Sequence, residues 1–346
     1  MQNVIDLIQP GLQLAAPLIL AAIGGLFSYR AGVFNIALEG FMLVAAFFSV
    51  SVTSTTGSMW IGVAAGVGCA MLMAAFMGIA VMLFAADEVI VGIALNLFAL
   101  GLTTFLLSNG GSGGGGFIRL SSGLPALQIG AISGIPVVND VINGRDPLVC
   151  VSWLSIPVAA WILKNTLFGL QLRAVGESPL AARAAGVKVG WVKFSSFVIS
   201  GFFCGLAGVE LALGSVYLFS ENMTNGRGII AFAAVIFGAG TPLLVGLASL
   251  MFGFAQALAG QLQIGSRFPP QFVLMTPYVF AIVALVLSGQ RQRQWLRRRA
   301  FGHAAEQQVE PTSAAIPGVV AADAVTTSDP APNASVGTSS DSARTS

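Results

Sequence analysis

A succession of apolar runs, each near the roughly 20 residues an α-helix needs to cross a bilayer, constrains this chain most. Nine are visible, at 11–28, 36–54, 59–86, 89–108, 148–164, 195–219, 228–240, 243–264 and 271–289. Runs this long and numerous do not suit the interior of a water-soluble domain. Only 9% of the 346 residues are charged and 55% are hydrophobic, against about 25% charged in soluble domains. Backbone polar groups in lipid must pair within their own element, so the expected fold is an all-α polytopic membrane protein. Run 228–240 is too short for a straight crossing, and Glu39 and Gly40 interrupt run 36–54, so about eight to ten transmembrane helices, some interrupted, are expected. The opening MQNVIDLIQP lacks the basic region and cleavage site of a signal peptide, so the first run is expected to be kept as a span.

Threading the runs alternately puts Arg30, Lys164, Arg173, Arg183, Lys188, Lys193 and the cluster Arg291, Arg293, Arg297, Arg298 and Arg299 on one side. Arg119, Arg145, Arg227 and Arg267 fall on the other. By the positive-inside rule the first side is cytoplasmic, with the N-terminus outside and the C-terminus inside. Residues 1–290 then form the membrane domain, with an external loop at 109–147 and a cytoplasmic loop at 165–194. The remainder, 291–346, reads as a basic stretch and then a polar tail too poor in large apolar side chains to build a core.

Several chemistries are excluded by what the chain contains. Cys69, Cys150 and Cys204 lie inside apolar runs at none of the spacings of metal or redox sites, and the one histidine, His303, lies in the polar tail. No metal site or catalytic constellation is visible. The glycine run 110–116 has no GxxxxGK[ST] pattern beside it, so it reads as linker rather than phosphate cradle. The chain is therefore expected to need no cofactor and to be no enzyme.

Two stretches echo one another. GVFNIALEGFMLVAAFFSV from Gly32 and GRGIIAFAAVIFGAGTPLLVG from Gly226 each place a glycine and a short apolar segment before a Gly/Ala-rich span. In the threading above they run in opposite directions, the pattern of an inverted-topology repeat, which places a solute path near interrupted helices. Ionisable groups in a span cost at least about 2.5–3.5 kcal/mol on insertion scales, so each needs a reason. Asn35 and Glu39 are four residues apart, on one helix face. With Asn96 they either tie broken helices together or line the path. Glu210 is a second intramembrane carboxylate, and Glu221, Asn222, Asn225 and Arg227 fall at the outer mouth.

The loop segment Gly169–Gly190, GLQLRAVGESPLAARAAGVKVG, specifies a short helix at about 179–185. Ser178 is a good N-cap, Pro179 suits the first helical position, and Gly186 suits the left-handed residue past the end. Its small side chains, with Arg183 among them, suit either a groove on a partner protein or the chain's own membrane surface.

RAVGESPLAARAAGV, from Arg173, resembles the cytoplasmic coupling loop of ABC importer permeases in the branched-chain amino acid, ribose and nucleoside grouping. GLFSYRAGVFNIALEGFMLVAAF from Gly25, GIALNLFALGLT from Gly92, ENMTNGRGIIAFAAVIFG from Glu221 and LMTPYVFAIVALVLSG from Leu274 are similar to its nucleoside or simple-sugar branch. The resemblance covers about 10–290. It implies that Arg173, Gly176, Glu177, Pro179, Ala181, Ala182 and Gly186 dock on a separate cytoplasmic ATPase, which alone uses ATP. It also implies an external substrate-binding protein, a second, identical or related permease subunit, and a place in the bacterial inner membrane. From the intramembrane and outer-mouth polar residues above, Asn35, Glu39, Asn96, Glu221 and Asn222 are the candidate path residues. The rival expectation is a self-contained ion-coupled transporter, using Glu39 and Glu210.

Overall fold

The computed structural model describes residues 2–110, 117–121, 123–125 and 146–265. The glycine run 111–116, the ninth apolar run and the tail lie outside these residues. Helices α1 (Gln2–Arg30), α2 (Leu38–Thr56), α3 (Met59–Leu83) and α4 (Glu88–Gly110) come first. They are followed by strand β1 (Phe117–Arg119), α5 (Pro147–Asn165), α6 (Leu167–Glu177), α7 (Pro179–Ala184) and α8 (Val189–Val209). A π-helical segment, Glu210–Val216, extends α8, and β2 (Leu218–Ser220), α9 (Arg227–Phe237) and α10 (Pro242–Gly265) complete the set. Seven helical stretches among the described residues are long and apolar enough to cross a membrane. The chain is an all-α polytopic membrane protein, as its apolar runs require; β1 and β2 form only a short antiparallel pair, Phe117 opposite Ser220.

Helix α1 is the central post. From Ala15 to Ala22 it is buried all round, and it packs against α10, α8, α9 and α5. Close backbone approach, rather than expulsion from water, holds such helices together in lipid. A Cβ at Gly66 would lie 2.6 Å from the Ala45 carbonyl oxygen, and one at Gly208 would collide with that of Met42. These glycines let α2, α3 and α8 meet backbone to backbone. By contrast α4 turns Ile90, Ile93, Leu97, Phe98 and Phe105 outward, the apolar surface a bilayer asks for.

Three elements differ from the sequence expectation. The interruption near Glu39 lies earlier: 31–37 is non-helical, and Glu39 and Gly40 belong to the first turn of α2. Gly40 does not break the helix. A Cβ there would stand 2.9 Å from Asn96 Oδ1 and 3.1 Å from the Leu95 carbonyl, so its smallness admits α4. The sixth span starts at Val189 and ends in the π-helical turn, with β2 following. The loop 165–194 holds two helices rather than one, because Thr166 accepts from the Gly169 N–H at 3.1 Å and caps α6.

Candidate functional site

Two places in the fold gather the residues singled out by sequence. The first is the break between α1 and α2. A segment leaving helical geometry inside a membrane must find partners for its backbone groups, and three side chains provide them. Asn96 Nδ2 donates to the Ile36 carbonyl at 2.9 Å, while its Oδ1 accepts from the Gly40 N–H at 2.7 Å. Asn35, 1% exposed, accepts from the Ala37 N–H at 3.1 Å and donates to Ser200 Oγ at 2.9 Å. Glu39 reaches across to α9: Oε1 accepts from the Gly226 N–H at 2.9 Å and Oε2 from the Gly228 N–H at 2.6 Å.

That carboxylate lies in the first turn of α2 and caps α9, so the positive ends of two helices converge on one negative group. Hydrogen bonds to a charged group contribute about 1.5–3 kcal/mol each, enough for two of them to offset the insertion cost of roughly 2.5–3.5 kcal/mol. The position opposite has to be glycine: a Cβ at Gly228 would collide with the Glu39 backbone.

The break and α9 run antiparallel. Glu39 holds the start of α9, Phe34 stacks edge-on against Phe232 midway, at a centroid distance of 6.4 Å, and Arg30 Nε donates to the Gly240 carbonyl just past its end. Helix α2 climbs the other way. Asn35 pairs with Ser200, Met42 lies against Gly208 and Phe47 against Phe219, successively farther from the start of α8. The stretch beginning at Gly32 is a non-helical lead followed by α2, whereas the one beginning at Gly226 enters α9 at once and breaks at 238–241 before α10; α2 and α9 point in opposite senses.

The turn at 221–226 brings the chain back to Glu39. Asn222, Asn225 and Gly226 take left-handed φ values of 51°, 42° and 80°, which Asn and Gly tolerate best. Glu221 and Asn222 are exposed here, and Glu221 Oε1 accepts from Thr104 Oγ1 at 3.1 Å. Asn35, Glu39 and Asn96 therefore form one group, and Glu221 and Asn222 lie at the turn leading into it. Glu210 is elsewhere, fully buried in the π-helical segment, where Oε1 accepts from Ser215 Oγ at 3.0 Å and Oε2 has no hydrogen-bond partner among the described residues.

The second place is the loop between α5 and α8. Ser178 Oγ accepts from the Ala181 N–H at 3.3 Å, Pro179 opens α7, and Gly186 follows its end at φ +83°. Pro179, Ala181 and Glu177 lie on the exposed side; Ala182, 4% exposed, instead faces its own chain. Leu180 was missed by sequence reasoning, although it is apolar and 78% exposed at the centre of the outward face. Arg173 and Gly176 sit deeper, in a cleft of about 280 Å³ that they share with Tyr29, Arg30, Val33 and Phe34. Arg30 was also missed, although a basic residue in the last turn of an apolar helix is a readable signal.

A membrane bundle in which helices of opposite sense meet at a break, with a capped helix held out on one loop, suits a solute permease. Residues 7–288 match the family described as branched-chain amino acid transport system / permease component, and the chain belongs to it. It is 34% identical over 294 residues to the guanosine ABC transporter permease protein NupQ of Bacillus subtilis, covering 82% of this chain and 92% of that one. It is 34% identical over 283 residues to the nucleoside ABC transporter permease protein NupC of Lactococcus lactis, covering 79% and 89%. A second Bacillus subtilis protein, the guanosine ABC transporter permease protein NupP, is 29% identical over 292 residues, covering 79% and 78%.

Proposed function

We propose that this chain is the transmembrane subunit of an ABC importer for nucleosides, purine nucleosides foremost. It carries no nucleotide-binding pattern of its own, so a separate cytoplasmic ATPase supplies the energy and an external binding protein supplies the solute. The observation that carries this reading is α7, a six-residue helix fixed by its own cap and presenting Leu180 and Ala181 outward. An apolar face of that kind, flanked by the exposed Arg183 and Lys188, fits an apolar groove with an acidic rim. In this orientation the C-terminus is cytoplasmic and the N-terminus external.

The relatives named for guanosine and nucleoside permeases support a nucleoside as the solute, with a simple sugar as the second reading. In Bacillus subtilis two such proteins resemble the chain, one at 34% and one at 29% identity. We assign the partner permease to the second kind, so the pore is formed by two related chains rather than two copies of one. Asn35, Glu39 and Asn96 order the interrupted helices beside the path, with Glu221 and Asn222 at its outer approach.

The docking assignment is tested by co-purification with the ATPase. Leu180→Asp places a charge at the centre of the docking face, and more than about tenfold less ATPase is expected to follow the permease, the loss typical of an interface anchor. Undiminished recovery of ATPase with Leu180→Asp contradicts the docking face.

A further inference from the structure

Arg30 belongs to both functional places at once. Its carbonyl oxygen faces Gly176, two residues before the cap of α7, where any Cβ would collide with it. Gly32, at φ +72°, closes the same contact: a Cβ there would lie 3.1 Å from Gly176 Cα. The end of α1 and the end of α6 therefore touch through backbone, with no flexible side chain between them. On its other side Arg30 donates through Nε to the Gly240 carbonyl at 2.5 Å. Gly240, at φ +69°, has Tyr29 Cε1 and Arg30 Nε about 3 Å from where its Cβ would stand.

Helix α9 is thus fastened at both ends to the short stretch from Arg30 to Glu39, by Arg30 at its C-terminal turn and by Glu39 at its N-terminus. That stretch is in turn seated on the coupling segment at Gly176. We infer that Arg30 is the positioning residue that carries movement of the coupling helix to the half-helix α9, so that α9 moves with α7 when ATP is bound and hydrolysed. Close-packed backbone transmits displacement because packed interfaces shift between discrete arrangements instead of deforming continuously. A guanidinium suits the far side of the joint, since its fixed fork of N–H donors holds a carbonyl in one orientation.

The relay rests on the importer reading, and the experiment separates the two. The complex of this chain with its ATPase, partner permease and binding protein is reconstituted in liposomes, and guanosine imported per ATP hydrolysed is measured. Arg30→Gln is expected to keep the ATPase bound while uptake per ATP falls about tenfold, the scale of one charge-assisted hydrogen bond and of a typical coupling free energy. Arg30→Lys, which keeps the charge and a donor, is expected to recover part of that ratio. Unchanged uptake per ATP in Arg30→Gln overturns the relay.

A second measurement needs no change at Arg30. Spin labels at Ala184→Cys and Ile236→Cys, each paired with one at Trp161→Cys on α5, report how α7 and α9 move on ATP binding. Both distances are expected to change together; a moving α7 beside a static α9 overturns the relay. A wild-type complex that imports guanosine without ATP hydrolysis overturns the importer reading as well, whereas a result confined to Arg30 leaves that reading standing.

Discussion

Glu39 shows how one side chain answers two demands. A carboxylate in a span is costly, and so is a helix start with unpaired N–H groups; placed together they offset one another. Glu39→Ala leaves the Gly226 and Gly228 N–H groups without their acceptor, at about 1–3 kcal/mol for each group left unsatisfied. The detergent-purified protein is expected to lose about 5 °C or more in Tm, and Glu39→Gln, which keeps one acceptor, about half of that. An unaltered Tm in Glu39→Ala would show that water replaces the carboxylate freely. The four-residue spacing of Asn35 and Glu39 suggested a shared helix face, yet the two belong to different geometry, one in the break and one in α2. Asn35 finds Ser200 and Glu39 finds Gly228, partners 165 and 189 residues away, and no local pattern could name them.

At the scale of elements, legibility followed the physics of each signal. Apolar runs are read from hydropathy because lipid imposes their length, and α7 was readable because Ser178, Pro179 and Gly186 each have a conformational reason to stand where they do. Gly40 misled because a glycine that admits a neighbouring helix looks the same in sequence as one that ends a helix. Helix α6 was missed because Gly169 and Gly176 lower its helix propensity; what they allow is contact with Leu163 and Arg30. The cap itself gives a test. Ser178→Ala costs α7 about 1 kcal/mol, so amide exchange across 181–184 is expected to quicken about fivefold while exchange in α8 stays as it was. Equal exchange in both proteins would mean that packing at Ala182, rather than the cap, holds α7. Close packing in the bundle has its own test: Gly208→Leu drives α8 off α2 at about 1–3 kcal/mol or more. A lower Tm is expected, and an unchanged one would contradict the backbone contact with Met42.

For the whole molecule, the fold makes sense as part of a machine. Interrupted elements meet at Glu39, α9 is fastened by Arg30 beside the end of α6, and in the proposed reading the capped helix α7 is the docking element. The sequence resemblance reached the family because its motifs lie in these joints, where backbone geometry restricts the residue. Those motifs contain Arg30 and Leu180 without singling out either, because the importance of both comes from what stands opposite them in space. The central claim is that solute movement through this chain is driven by a separate ATPase. Its most direct test is guanosine uptake into proteoliposomes, with the purified permease alone and with the complete complex. The account predicts uptake only when the ATPase, the binding protein and ATP are all present, whereas uptake by the chain alone under a proton or sodium gradient would contradict it.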